Sequence, residues 1–540
     1  MTNGPEKDQG RGSEALSSWS PLKYSIFRWI WIANVVSNIG TWMQSTAMAW
    51  VMTTLDPSAI MVSLVQTASS FPIFLLAIPA GAIADVVDRR RIIIVTQIWM
   101  LISAAVLGVL AMLNLTTSWS LLLLVLALGI GNALNAPAWQ AIIPELVPRK
   151  MVHSAVALNS AGFNLARSVG PALGGFVLVL LGAGPTFMFN AASFLGVIVV
   201  LLLWKRPPME SALPAERIIA AMRTGIRFVR YAPALQAVFV RALCFILCAS
   251  SLMALLPLFA RDYLHAGPGE YGLLLGAFGL GAVGGAGAFQ WIGRKTVLDK
   301  VAALTNIAFA ASLSFLGLVH VFFLDCIAML VAGAAWLVLL SNFNGSVQSI
   351  VPAWVRGRCL AVYMLIFFGG MAAGSVAWGA IGHYFGVDAA LHGSAAGLIL
   401  SLLLTVRFKL ISGAELDLRP SGHWPMPAVT FEPELHEGPV MVMVEYRVRS
   451  EDWYEFGIAL RRLRRARMRG GAFSWTVFVD LAEPEKICET FLVESWLEHL
   501  RMHERQTVVD KEIQEKVRAF HNGEGQPRVI HFLAKSLPDV

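Results

Sequence analysis

Apolar residues fill the first three quarters of the chain in long blocks, and the polar residues collect between them. A hydrocarbon core about 30 Å thick is crossed by about 20 apolar residues of helix. Twelve blocks reach that length, at 26–52, 58–84, 91–113, 119–142, 152–181, 185–204, 236–260, 270–292, 298–319, 325–347, 359–385 and 390–411. The first follows a polar leader, residues 1–25, and has no small-residue cleavage site, so it reads as a span and not as a removable signal. Beyond residue 412 the pattern changes. Residues 413–437 are punctuated by Pro420, Pro425, Pro427 and Pro433 and read as a linker. Residues 440–448 alternate as a strand, 450–468 have helical periodicity, 472–480 and 487–493 read as strands, 495–519 as a helix and 527–534 as a strand.

Composition sharpens this division. Of 540 residues 56% are hydrophobic and 14% charged, and mean hydropathy is +0.63. This excludes a disordered chain, a coiled coil or a water-soluble enzyme as a description of the whole. Residues 1–412 carry 25 Lys+Arg against 14 Asp+Glu, a net charge of +11, whereas residues 413–540 carry 17 against 21, a net charge of −4. The basic excess sits in short connections between apolar blocks, which argues against nucleic acid as a partner. Alternate connections hold it: Arg89, Arg90 and Arg91; Arg149 and Lys150; Lys205, Arg206, Arg217, Arg223, Arg227 and Arg230; Arg294, Lys295 and Lys300; Arg356 and Arg358. The other connections contain a single basic residue, Arg261. Basic residues stay on the cytoplasmic side during insertion, so the pattern predicts a multi-pass protein of the inner cell membrane with both termini and the tail in the cytoplasm. The five cysteines have no metal or disulfide spacing.

The stretch Gln140-Ala-Ile-Ile-Pro144-Glu-Leu-Val147 returns as Gln348-Ser-Ile-Val-Pro352-Ala-Trp-Val355, each copy linking a fourth and a fifth span of a set of six. Two six-helix halves, 26–204 and 236–412, joined by the cytoplasmic connection 205–235, form a transporter architecture. Within that connection Ile218 to Tyr231 is amphipathic and reads as a helix lying on the surface. The expected fold is an all-α polytopic membrane protein of two repeats, followed by a small α+β cytoplasmic domain at 438–540.

Gly81-Ala-Ile-Ala-Asp85-Val-Val-Asp88-Arg89-Arg90-Arg91 resembles the cytoplasmic loop signature of the major facilitator superfamily, with Asp88 and Val86 as departures. Arg167-Ser-Val-Gly170-Pro171-Ala-Leu-Gly174-Gly175 is similar to the glycine-proline motif of helix 5 in the superfamily's exporters. Pro137-Ala-Trp-Gln140 and Tyr271-Gly-Leu-Leu-Leu-Gly276 resemble the subgroup of the enterobactin exporter and the transmembrane secretion effectors. The resemblance implies export of a small amphipathic molecule, a siderophore, drug or secondary metabolite, by alternating access and proton antiport. It implies that Gly81, Asp85, Asp88, Arg89, Arg90 and Arg91 form a conformational latch. The residues alone also allow a loop that only orients the protein in the membrane.

Arg167 lies well inside the fifth span, where charge is expensive and faces a cavity or a partner. It anchors an anionic substrate or a gating network, or it snorkels for structure. Polar and aromatic residues on helices 1, 4, 7 and 10, which line the cavity in the resembling fold, are the cargo candidates: Asn38, Trp42, Gln44, Asn132, Asn135, Trp139, Ser251, Trp336, Asn342 and Asn344. A proton carrier is harder to find. Asp56, Glu145, Asp262, Glu270, Asp325 and Asp388 all fall near span ends, and His383 is the remaining titratable candidate. No Gly-rich loop ending in Lys-Ser/Thr indicates ATP hydrolysis, and no cofactor is expected.

The order β-α-β-β-α-β in the tail is the ferredoxin-like arrangement. Trp496-Leu-Glu-His499-Leu-Arg-Met-His503-Glu-Arg resembles small antibiotic-biosynthesis-type monooxygenases, which implies a homodimer and leaves open a tail that modifies the cargo. His499 and His503 share a helix face without a third ligand, so no metal is expected. The run Arg461, Arg462, Arg464, Arg465, Arg467 and Arg469 reads as a solvated helix face.

Overall fold

The computed structural model describes residues 19–204, 218–292, 298–411 and 413–535 except 414, 415, 426, 428 and 432; a few side chains within helices, Asp85 among them, lie outside the description. Twelve of the described helices make up the body: α1 (Ser25–Leu55), α2 (Ala59–Val86), α3 (Arg89–Met112), α4 (Ser118–Ile142), α5 (Val152–Leu181), α6 (Ala183–Leu203), then, after the short helix α7 (Ile218–Tyr231), α8 (Pro233–Leu258), α9 (Pro268–Ile292), α10 (Leu298–Leu316), α11 (Phe322–Ile350), α12 (Ala353–Phe385) and α13 (Val387–Ser401). Nine helices among the described residues are long and apolar enough to cross a membrane.

The breaks between helices have local causes. Asp88, which departs from the glycine of the resembling motif, is the N-cap of α3, and its carboxylate accepts from the Arg91 amide at 3.2 Å. Thr117 and Ser120 form a reciprocal capping box at α4. Gly182 (φ 83°) both ends α5 and starts α6, and Gly386 (φ 90°) does the same between α12 and α13. The left-handed region is costly for any residue with a Cβ. Matched glycines at matched corners are thus a second trace of the internal repeat. Pro352, with φ fixed at −57°, is the N-cap of α12, so that helix starts at Ala353, earlier than the apolar pattern indicates. In the other copy of the repeated segment the chain makes two short turns, Ile143–Glu145 and Arg149–Met151, before α5 begins.

Helix pairing repeats as well. In the first half α1 packs on α5 and α6, α2 on α4, and α3 on α4 and α6; in the second α8 packs on α12 and α13, α9 on α11, and α10 on α11 and α13. The halves meet along two equivalent crossings, α2 with α12 and α5 with α9. Small residues let these backbones approach, as dispersion packing in lipid requires. A methyl group built on Gly272 would lie 2.7 Å from the Pro171 carbonyl oxygen and 3.0 Å from the Gly175 Cα. Within the first half, one built on Gly174 would lie 2.6 Å from the Met43 Cα. The exporter-type motif thus divides its work: Gly175 and Pro171 face the other half, while Gly170 and Gly174 hold α1.

The tail contains α15 (Trp453–Gly470), α16 (Trp496–Arg505), α17 (Val508–Arg518) and strands β1 (Val440–Arg447), β2 (Ser474–Val479), β3 (Lys486–Val493) and β4 (Arg528–Leu533); a short turn of helix, α14 (Leu404–Arg407), precedes it. The sheet is antiparallel in the order β2-β3-β1-β4. The single helix read at 495–519 is two. Gln506 is extended and Thr507 opens a new capping box with Asp510. The segment from 413 to 437 is bound to the tail: the Ser421 amide donates to the Gln506 carbonyl at 2.9 Å, and Trp424 Nε1 to Gln514 Oε1 at 2.8 Å.

Helix α7 has the predicted bounds, but it lies between the body and the tail, packed on α12 and α15. Phe228 meets Trp354 edge to face at 5.8 Å, Arg227 reaches Glu494 at 3.9 Å, and the Arg505 guanidinium sits 4.5 Å over the Trp354 ring. These contacts define a tail side of the body, which carries residues 84–91, 143–151 and 350–358, and a far side.

Replacing Gly272 by valine should force the α5–α9 crossing apart and cost roughly 1–3 kcal/mol, read as a lower thermal unfolding midpoint of the purified protein in detergent; an unchanged midpoint would contradict the packing described.

Candidate functional site

Contacts between the halves concentrate on the far side. The Arg261 guanidinium donates to the Thr53 carbonyl. Ser58 Oγ and His383 Nδ1 lie 3.4 Å apart, and Trp50 stacks at a tilt on Tyr271 with ring centroids 5.7 Å apart. Midway along the crossings, Thr67 Oγ1 donates to the Ala372 carbonyl at 3.3 Å and Ser168 Oγ to the Gly279 carbonyl at 3.2 Å. Towards the tail side the α2–α12 crossing opens into a recess of about 580 Å³, lined by Phe71 and Phe74 of α2, Leu243 of α8, and Ile366, Gly369 and Val376 of α12. Its walls are almost wholly apolar, and none of the ten cargo candidates lines it.

The first half carries a polar seam between α1, α4 and α5. Trp31 Nε1 donates to the Leu158 carbonyl at 2.9 Å, Asn34 Nδ2 to Asn159 Oδ1 at 3.2 Å, and Trp139 Nε1 to the same oxygen at 3.4 Å. Asn38 Nδ2 donates to the Asn34 carbonyl at 2.8 Å. Trp42 follows on the same helix, against Phe163 of α5 and beside Gly170. Residues three and four apart share a helix face, so Arg167 lies on the face of Phe163 and Gly170. Its Nε and Nη2 are buried and find no hydrogen-bond partner among the described residues. A guanidinium with free donors beside an aromatic wall can take a carboxylate, a phenolate or another oxyanion in two-point contact.

Several cargo candidates point elsewhere. Gln44 is buried and bonded to Asn190 of α6. Asn135 accepts from Thr96 of α3 at 3.1 Å. Ser251 donates to Ser394 of α13 at 2.9 Å, and Asn342 to the Leu298 carbonyl at 3.0 Å. Trp336 is enclosed by Phe245, Phe278, Phe309 and Phe367 inside the second half. Each of these residues takes its contacts within its own half, and Asn342 alone of them keeps a buried oxygen, Oδ1, without a partner among the described residues. Asn344 accepts from Gln348 one turn on, and Asn132 is exposed. Asn38, Trp42 and Trp139 remain in the seam described above. His383 is exposed on the far side.

The arginines of the loop after α2 bind the first half in this arrangement. Arg89 Nη1 donates to Glu145 at 2.8 Å and to the Ala141 carbonyl at 3.2 Å; Arg90 caps the end of α6 through the Leu201 and Leu202 carbonyls at 2.7 and 3.0 Å. Arg91 is exposed, and a side chain on Gly81 would meet open space. Arg241, at the start of α8, pairs with Asp299 of α10, which also accepts from the Leu410 amide at 3.1 Å.

In the tail, Arg467 leaves the solvated arginine face expected of its run. It is 2% exposed, donates to the wholly buried Glu489 at 3.1 Å, and lies under the rings of Trp424 and Phe491. Arg469 pairs with Asp510 at 2.8 Å, whereas Arg461, Arg462, Arg464 and Arg465 are exposed. His499 and His503 stand with Nε2 atoms 3.2 Å apart, and His531 lies beside His499. No group of three metal-ligating side chains with suitable geometry occurs among the described residues. Burial, and then neighbouring positive groups, push the imidazoles down to about 3 for His499 and about 4 for His503. Both are therefore neutral in the folded tail, while a solvated imidazole takes a proton near pH 6.5. The unfolded state binds more protons below that pH. The tail's stability is complete above about pH 6.5 and falls as the pH drops towards 4. Thermal unfolding of the full chain in detergent should show this slope in its tail transition, and a His499→Leu, His503→Leu variant should flatten it.

The transmembrane secretion effector family matches residues 16–538, the tail included. The multidrug efflux pump Tap of Mycolicibacterium fortuitum is 27% identical over 414 residues, spanning 72% of this chain and 96% of that protein. The staphyloferrin A transporter of Staphylococcus aureus is 25% identical, spanning 61% of this chain and 82% of its own length. The enterobactin exporter EntS of Citrobacter koseri is 24% identical, spanning 70% and 90%. Among solved structures, a bacterial homologue of the human lysosomal transporter Spinster, in an inward-facing and unoccupied conformation, superposes with a TM-score of 0.56 at 16% identity, covering 73% of this chain and 96% of that one. The nucleoside transporter NupG gives 0.54 at 12% identity, covering 71% and 99%. The chain belongs to the transmembrane secretion effector family, within the major facilitator superfamily of multi-pass small-molecule transporters.

Proposed function

We propose that this protein is a secondary active exporter that carries a small amphipathic anion out across the inner membrane by proton antiport, with twelve spans and both termini in the cytoplasm. The observation that carries the reading is Arg167: a guanidinium deep in α5, with two buried donors left open, on the face it shares with Phe163. A charge is kept at that depth when a ligand or a partner uses it. The apolar recess along α2, α8 and α12 supplies a wall for the greasy part of such a cargo. Siderophores, which are oxyanions on an organic frame, have this chemistry, and two of the relatives are named for siderophore transport.

The gathering of inter-half contacts on the far side, which is the outer side in the proposed orientation, corresponds to the inward-open state of an alternating-access cycle. In it Arg89 and Arg90 rest on their own half, and the latch forms when the tail side closes. The tail is read as a ferredoxin-like regulatory domain bound to the second half through α7, because the buried polar centre around Arg467 and Glu489 is filled by its own side chains.

Arg167→Leu should weaken binding of an anionic cargo by about 10–100-fold, the loss of one charge-assisted contact of about 1.5–3 kcal/mol, and Arg167→Lys should fall between the two. Uptake of an iron-free tris-catechol siderophore into everted membrane vesicles measures this; equal uptake by the leucine variant would remove Arg167 from the site.

A further inference from the structure

The second half encloses a carboxyl group that neither the transport reading nor the family assigns a role. Asp325 belongs to the first turn of α11, where a sequence reading puts it at a membrane boundary. It is wholly buried. It lies on the stripe Asp325, Met329, Ala332, Trp336, Leu339 and Phe343, the face that α11 turns into the interior of its own six-helix half. Trp336 on that stripe touches aromatic rings from α8, α9, α10 and α12. At a rise of about 1.5 Å per residue the carboxyl lies about 16 Å along the helix from Trp336, towards the far side.

Both carboxyl oxygens of Asp325 are buried with no side-chain partner and no counter-ion among the described residues, and the group that faces them is the Val321 backbone amide, one turn back at the start of α11. The charged and titratable groups on the surrounding elements are engaged elsewhere. Arg261 and Asp262, after α8, lie 3.8 Å from each other, and Arg261 also holds the Thr53 carbonyl. Glu270 of α9 accepts from the Gly267 amide at 2.9 Å. His320, in the connection from α10, faces Asp388 of α13 at 3.6 Å, and His392 lies 2.7 Å from the Asp388 carbonyl. Tyr263 stacks on Phe259, and His383 of α12 is at Ser58. Cys326 is the titratable neighbour on α11 itself. A lone backbone amide does not offset the cost of an ionised carboxylate without a counter-ion in an apolar interior. In this arrangement the group is neutral and carries its proton.

We infer that Asp325 is the proton-binding group of the transport cycle: it holds one proton in the arrangement closed on the far side, and exchanges it when the helices of the second half move apart and water reaches the carboxyl. The partly exposed His320–Asp388 pair lies on the connections at that end of the second half. The inference rests on the antiport reading for its role in transport, though not for the protonation itself.

Two measurements separate these. Infrared difference spectra of the purified protein in lipid should contain a protonated-carboxyl C=O band at neutral pH that is absent in Asp325→Asn; the same band in the variant overturns the inference. In proteoliposomes, an imposed pH gradient should accelerate transport of an iron-free tris-catechol siderophore by the parent protein. Asp325→Asn, which mimics the neutral acid and so keeps the fold, should lose that acceleration and retain gradient-free exchange, while Asp325→Glu recovers part of it. Equal acceleration in Asp325→Asn overturns the proposed role. A parent protein indifferent to the gradient overturns antiport itself, and the infrared band then still decides whether Asp325 holds a proton.

Discussion

Hydrocarbon offers no hydrogen bonds, so each polar atom in the body must find its partner inside the protein. Most of the arrangement follows from that demand. Serine and threonine hydroxyls return to their own helix, as Thr41 does to Ser37, Thr46 to Trp42 and Ser69 to Val65. Amides bridge neighbouring helices, as Asn34 does with Asn159 and Asn306 with the Leu398 carbonyl. With polar demand met locally, cohesion between helices falls to close contact, and the closest contacts are where glycine meets backbone along α5–α9 and α9–α11. Exceptions remain on both sides: Gln97, Asn306 and Asn342 each keep one amide oxygen open among the described residues, and Arg167 and Asp325 are ionisable side chains with buried atoms that no side chain meets, one in each half.

The two halves use the same scaffold for different ends. Helix pairing is identical in both, down to the glycine corner before the sixth helix of each. The interior of the first half is polar along the α1–α5 seam, whereas that of the second is an aromatic cluster around Trp336 with Asp325 at one end. A duplicated frame with divergent interiors leaves the proposed cargo contact, Arg167, in one half and the proposed proton-binding group, Asp325, in the other.

Much of this was legible in the sequence. Nine of the twelve apolar blocks return among the described residues as helices long and apolar enough to cross a membrane, because a helix surrounded by lipid is apolar on every side, a signal that needs no phase. The repeat was visible in Gln140–Pro144 and Gln348–Pro352, and the tail's element order in its alternation of periods. Directions were not legible. The presence of Gln44, Asn135, Ser251 or Asn342 in a span states that a partner exists, while helix rotation decides which one, and in each case it lay within the same half. Arg467 stood in a run of arginines whose other members are solvated, and only the register of α15 over β3 brings it to Glu489. Asp325 sat at a boundary where an error of one turn changes a wet carboxylate into a dry acid.

The clasp around Trp354 has a mechanical meaning. Trp354 opens the fifth helix of the second half, Phe228 and Arg227 come from the connection between halves, and Arg505 and Glu494 come from the tail. The tail is therefore fastened to the second half through α7 and the start of α12. In the alternating-access cycle proposed above, the tail would swing with that half like a lever arm, turning a displacement of a few ångströms between helices into a larger sweep. A partner that gripped such a lever would gain a handle on the helices to which it is joined.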